Sequence, residues 1–274
     1  MPYTQNLFIS SDKEVPAYEM NLSICLKADG FSFSVVSNQE ELLCIGSVDC
    51  NAHSMSEWTS VIKEVFNAYN LPLFGYNSTR LIIETQQFTW IPDHLYDAAN
   101  DRKYLDMVCK IKTGQAIYSE HNEAIGAHVI FAADNTAVSA FKITIPRIAI
   151  SCQHSAFASK YLLQRSDLKS LMLINIHNDV ADFAVFCNKK LQLSNSYPCS
   201  NIEEVCYYGL NVVKQLKLEE ASFETLVGGN IDRPHFEFLA QFFPQADLYD
   251  GRPLQMSNPE MHLVKRYRYP EILS

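Results

Sequence analysis

One pattern, written twice, constrains this chain more than any other feature. Residues 22–26 (LSICL) alternate as a strand does, Asp29-Gly30 follows, and residues 31–36 (FSFSVV) run on. Asp-Gly between two such runs is a strong hairpin signal. A turn at Ser37-Asn38-Gln39 leads to a third strand over 42–48. Ser54 and Glu57 then form a capping box, in which hydroxyl and carboxylate each take up a free backbone N–H at a helix start. The helix sets Trp58, Val61, Ile62, Val65, Phe66 and Tyr69 on one stripe, Asn70-Leu71-Pro72 ends it, and a fourth strand covers 81–84.

The same order returns from residue 171. Apolar runs at 171–176 and 180–186 flank a turn at His177-Asn178-Asp179, and a second turn at 187–190 leads into 191–194. Ser200 and Glu203 read as another capping box, before a stripe of Ile202, Val205, Cys206, Val212, Val213 and Leu216. Residues 223–227 supply the fourth strand. The first strands start at Leu22 and Leu171, 149 positions apart, and the boxes at Ser54 and Ser200, 146 apart. Two related α/β subdomains are therefore expected, over 1–150 and 151–274, each a mixed sheet with a three-stranded meander and flanking helices. Between them the pattern predicts a helix from Pro92 to about Ile111, strands over 128–132 and 137–143, and a helix over 155–164. Asp232 is placed to cap a last helix carrying Phe236, Leu239, Ala240 and Phe243.

Composition removes several functions. With 22 basic and 31 acidic residues, and the acidic excess in both halves, the chain is no general nucleic-acid binder. Nine glycines in 274 residues leave little room for glycine-rich phosphate loops, and P-loop, dinucleotide, zinc-protease and nucleophile-elbow motifs are missing. The N-terminal residues carry no signal-peptide pattern and no apolar run is long enough for a membrane helix, so a cytoplasmic protein without membrane contact is expected. The eight cysteines lack metal or redox spacing and read as buried thiols. Cys152-Gln153-His154 puts a nucleophile near a base, but no third partner is identifiable, and a strand-to-helix junction explains it. No catalytic residue and no metal ligand is assigned.

The chain resembles an uncharacterised Bacteroidetes family, a domain of unknown function with an actin-like ATPase (ribonuclease H-like) fold. The resemblance runs from about residue 20 to 250 and is carried by 22–33 (LSICLKADGFSF), 88–92 (FTWIP), 193–197 with Tyr207-Tyr208, and Gly228-Gly229. It implies duplicated actin-like subdomains. It also implies a cleft between them where hairpins cradle ATP phosphates with magnesium and a glycine pair backs the adenosine. The positions so implicated are Asp29 and Gly30 in the first hairpin, His177, Asn178 and Asp179 in the second, and Gly228, Gly229 and Asn230 at the late strand end.

Active members of that superfamily usually show Asp-x-Gly in each hairpin. Here Asp29 directly precedes Gly30, and the second hairpin reads Asn175-Ile176-His177. The expected function is therefore a non-catalytic binding or scaffold module with a degenerate cleft, whose partner is another protein. The first alternative is an active ATPase or small-molecule kinase using Asp29 and the glycine pair. The second is an RNA- or ribosome-associated accessory protein, contacting nucleic acid only through Lys265, Arg266 and Arg268, which stand among Tyr267 and Tyr269.

Overall fold

The structure is a computed structural model that describes residues 3–11, 13–164, 170–218, 223–243, 245–249, 251, 253–256 and 258–273, with 159–164 described by backbone alone. The chain divides into two compact units, 1–155 with 253–264, and 156–252 with 265–274.

The first unit opens with β1 (Tyr3–Ser10), then the meander β2 (Met20–Lys27), β3 (Gly30–Ser37) and β4 (Leu42–Cys50). Helix α1 (Met55–Ala68) starts at the expected capping box, with Ser54 Oγ accepting from Glu57 N and the Glu57 carboxylate accepting from Ser54 N. Such a cap contributes about 1 kcal/mol. Its buried face is the expected stripe, Trp58, Val61, Ile62, Val65 and Phe66, with Tyr69 packed at the margin. Next come β5 (Ser78–Ile83), β6 (Phe88–Pro92), α2 (Asp101–Asp106), β7 (Gln115–Asn122), β8 (Ala127–Asp134), α3 (Asn135–Thr144) and β9 (Ala149–Cys152). Helix α4 (Gln153–Gln164) carries the chain into the second unit.

There the order is β10 (Ser170–His177), β11 (Val180–Cys187), β12 (Lys190–Pro198), α5 (Ile202–Gln215), β13 (Glu224–Gly229), α6 (Arg233–Leu239), β14 (Ala246–Leu248) and α7 (Pro270–Leu273).

The duplication is plain in the sheets. One runs β1-β4-β3-β2-β5-β9, the other β12-β11-β10-β13-β14. Numbering each half from the start of its meander, both read 3-2-1-4-5, with strand 4 parallel to strand 1 (β5 to β2, β13 to β10) and the meander antiparallel. Each unit has its own core: Ile24, Phe33, Ile62, Phe66 and Phe141 are buried in the first, and Ile174, Phe183, Val212, Val227 and Phe243 in the second. Each such large apolar side chain contributes about 1.5–3 kcal/mol on leaving water.

Two expectations fail between 92 and 144. The long helix from Pro92 reduces to two 3-10 turns and the six-residue α2. Asp97 accepts from the Ala99 N–H and the Asn100 side chain, and such local bonds compete with helix propagation. Residues 137–143 are helical, not extended, because Asp134 caps Ala137 N and Ala137, Val138, Phe141 and Thr144 fall on one helical face. The strands β6, β7 and β8 form a separate sheet ordered β6-β8-β7, in which β8 turns Val129 and Phe131 to the main core and Ile130 and Ala132 to a small one beside Leu105. In the second unit the cap of α5 is displaced by one residue. Asn201 accepts from Glu204 N, and Glu204 accepts from Ser200 N. The last helix is capped by Asp232 as expected but stops at Leu239, leaving Ala240 as its C-cap and Phe243 beyond it.

Candidate functional site

The clearest site geometry lies in the second unit, at the carboxyl ends of the parallel strands β10 and β13, the edge where open α/β sheets hold ligands. These strands pair from Leu171↔Glu224 to Ile176↔Gly229, so the hairpin after β10 and the turn after β13 leave the sheet side by side. A cavity of about 170 Å³ lies there, lined among others by Ile176, Asn178, Cys199, Asn201, Asn230 and His235. Six of the eight sequence-implicated residues belong to this edge, while Asp29 and Gly30 belong to the first unit.

Their surroundings show what each does. Gly229 has φ +88° and a Cβ there would sit 2.0 Å from Ile176 O, so only glycine allows this approach to β10. The Asn230 N–H donates to the same Ile176 carbonyl at 2.5 Å. Gly228 lies under the chain's last turn, where a Cβ would meet Tyr267 O at 3.1 Å and Pro270 Cγ at 3.3 Å. The glycine pair thus makes room for other parts of the second unit. Close by, Asn175 Nδ2 donates to Glu271 Oε1 at 2.6 Å, joining β10 to α7 with both side chains buried. His177 Nε2 lies 2.8 Å from Asp182 Oδ2, and Ser196 Oγ donates to Asp182 Oδ1 at 2.5 Å, tying β10, β11 and β12 together through one buried carboxylate. Asn178 takes φ +47° and Asp179 is exposed, its carbonyl accepting from Cys199 N at 2.8 Å.

Asp232 is held below the usual carboxylate range, first by the His235 backbone N–H, with the His235 side chain and Lys265 adding to it, beside the cavity that His235 lines. The Cys199 thiol is pushed up to about 11, chiefly by burial, and remains protonated. The free N–H groups at the start of α5 are partly occupied by Asn201.

In the first unit the same turn recurs, with Cys25 and Ser32 at the places of Asn175 and Asp182. The Asp29 carbonyl accepts from Cys50 N at 2.8 Å, and a Cβ on Gly30 would lie 2.1 Å from Val48 O. Close pairing with β4 explains this glycine without a phosphate. Sequence reasoning missed Asp182, Ser196 and Glu271. A polar residue inside an apolar run, such as Asp182 within VADFAVF, was the available signal, because a buried carboxylate needs partners. Cys152 is buried at the strand-to-helix junction, and its neighbour His154 stacks on Phe88 with ring centroids 3.6 Å apart. In the tail, Arg266–Arg268 form a 3-10 turn, with Lys265 and Arg268 exposed.

The repeated 3-2-1-4-5 sheet and its paired hairpins define the class, and solved structures agree. A Bacteroides thetaiotaomicron protein with an actin-like ATPase fold and unknown function superposes with a TM-score of 0.70 at 21% identity, over 90% of this chain and 95% of that one. A chain of the PilM–PilN type IV pilus biogenesis complex gives 0.58 at 9% identity over 94% and 96%, and the ethanolamine utilization protein EutJ from Carboxydothermus hydrogenoformans gives 0.51 at 10% over 88% and 87%. The protein has an actin-like ATPase fold. Residues 12–245 match the family of proteins of unknown function DUF3822, and the chain belongs to that family. No curated protein matches the sequence. Among the described residues no helix is long and apolar enough to cross a membrane.

Proposed function

We propose that this protein is a non-catalytic binding or scaffold module in which the actin-like nucleotide site has degenerated, and that its partner is another protein in the cytoplasm. The observation that carries this reading is the use of the glycine pair. Gly228 is covered by Tyr267 and Pro270 of the same unit, and Gly229 lies against β10, where a nucleotide-binding relative would leave backbone open to a ligand. The adjoining cavity of about 170 Å³ falls below the roughly 300–1,000 Å³ usual for sites that enclose a cofactor-sized molecule. The absence of disulfides among the described cysteines is compatible with a reducing compartment.

A second reading, an ATPase or small-molecule kinase using Asp29 and magnesium, draws support from that cavity, which stands at the strand edge where ligands bind. Phosphate release from magnesium-ATP by the whole chain separates the two. No release above background is expected. Sustained release that Asp29→Asn abolishes, with the variant's thermal stability unchanged, would overturn the scaffold reading.

A further inference from the structure

We propose that Asp93, His121 and His128 form a binding site for a divalent transition metal ion of the zinc class, on the β6-β8-β7 sheet of the first unit. The proposal is independent of any nucleotide or partner. His121 and His128 stand directly opposite each other in the β7–β8 register, so their imidazoles leave the same face. Asp93 follows β6, whose Ile91 pairs with His128, and its own N–H donates to Gly126 O in the β7–β8 turn. Two neighbouring strands and the turn after a third therefore bring one ligand each to one end of the sheet.

One coordinating atom from each residue lies within 4.8 Å of the others. His121 Nε2 is 3.2 Å from Asp93 Oδ2, and His128 Nε2 is 3.8 Å from Asp93 Oδ1. Zinc bonds of about 2.0–2.2 Å in a tetrahedral site put neighbouring ligand atoms roughly 3.3–3.6 Å apart, so small side-chain rotations complete the geometry.

The plain alternative is a surface His–Asp pair. It accounts for His121, but not for a second imidazole aimed at the same carboxylate and stacked on the first at 4.6 Å. Tyr96 stacks on the other face of His128, with centroids 3.5 Å apart and planes 9° apart, which fixes that ring. Two imidazoles and one carboxylate favour zinc, cobalt, nickel or copper over magnesium or calcium. With Asp93 and His121 both over 40% exposed at the side chain, a fourth position faces solvent and suits water.

The test is a zinc titration of the whole chain by calorimetry, with cobalt absorption as a report of coordination geometry. The expected result is one ion per chain, with affinity falling at least tenfold in His121→Ala and again in His121→Ala/His128→Ala. Zinc should raise the melting temperature of the parent and not that of the double variant, each compared with its own value in chelator. Asp232→Asn, which alters another His–Asp pair, should leave binding at parent strength. Failure of the parent to bind, or one ion retained by the double variant, would overturn the proposal.

Discussion

The two units share a backbone plan and differ at the residues around the carboxyl ends of its parallel strands. In both, the carbonyl in the first turn accepts an amide from the end of the third strand, Cys50 N to Asp29 O and Cys199 N to Asp179 O, each at 2.8 Å. Two positions before the end of the first strand, however, the first unit pairs Cys25 with Ser32, and the second pairs Asn175 with Asp182. All four side chains are buried, so the first unit accepts small groups where the second builds a polar network reaching Glu271 and His177. The fourth strands diverge likewise. Leu26 pairs with Ile83 in one, Ile176 with Gly229 in the other, so Ile82-Ile83 occupies the register that Gly228-Gly229 occupies in the second unit. The duplicated frame is set by strand pairing, which side chains share loosely. What each half can hold is set by a few residues at the strand ends.

The largest expected break in this comparison comes from giving the second unit the first unit's residue. Gly229→Ile combines a backbone at φ +88° with a Cβ 2.0 Å from Ile176 O, and should cost about 3–5 kcal/mol in urea denaturation. Asn175→Ala removes a buried partner of Glu271 and should cost about 2–3 kcal/mol. Asn175→Ala and Glu271→Ala should be non-additive in a double-mutant cycle, whereas additive losses would mean that β10 and α7 are not coupled through this bond. Gly228→Ala meets Tyr267 O at 3.1 Å and needs a shift of tenths of an ångström, so a loss of about 1 kcal/mol is expected in the same assay.

Acid should act on both units through their helix starts. Glu57 and Asp232 are held below their ordinary values of 4.5 and 3.8, chiefly by backbone N–H groups of His53 and His235. A lowered folded pKa contributes stability that is fully present above the ordinary value and lost as pH falls through the folded one. Glu57→Gln and Asp232→Asn should therefore flatten the acid limb of stability against pH below about 4.5 and leave the neutral plateau with little slope change. Burial also protects Cys199. With its pKa near 11, alkylation at pH 7 should run about a hundredfold slower than for a free thiol, read by mass spectrometry.

Much of this frame was legible in the sequence, because both meanders, the box at Ser54 and the cap at Asp232 announce themselves by alternation and local polar chemistry. The region from 92 to 144 was not. Its strands pair out of chain order, and Ala137 to Ile143 suits either period until Asp134 is seen to cap it. The candidate site was legible as positions and not as state. Gly228-Gly229 could be found by eye, but its cover is supplied by residues about forty positions later, a distance no local pattern spans. The His121, His128 and Asp93 cluster was hidden for the same reason, since the ligands meet only through the register of β6, β7 and β8.

The proposed scaffold role requires that the glycine pair of the second unit be committed to internal packing. Calorimetric titration of the whole chain with magnesium-ATP and magnesium-ADP tests it most directly. No saturable heat is expected at submillimolar nucleotide. Micromolar binding to the parent that is lost in Asn178→Trp, which fills the β10–β13 cavity while leaving the glycine pair untouched, would contradict it.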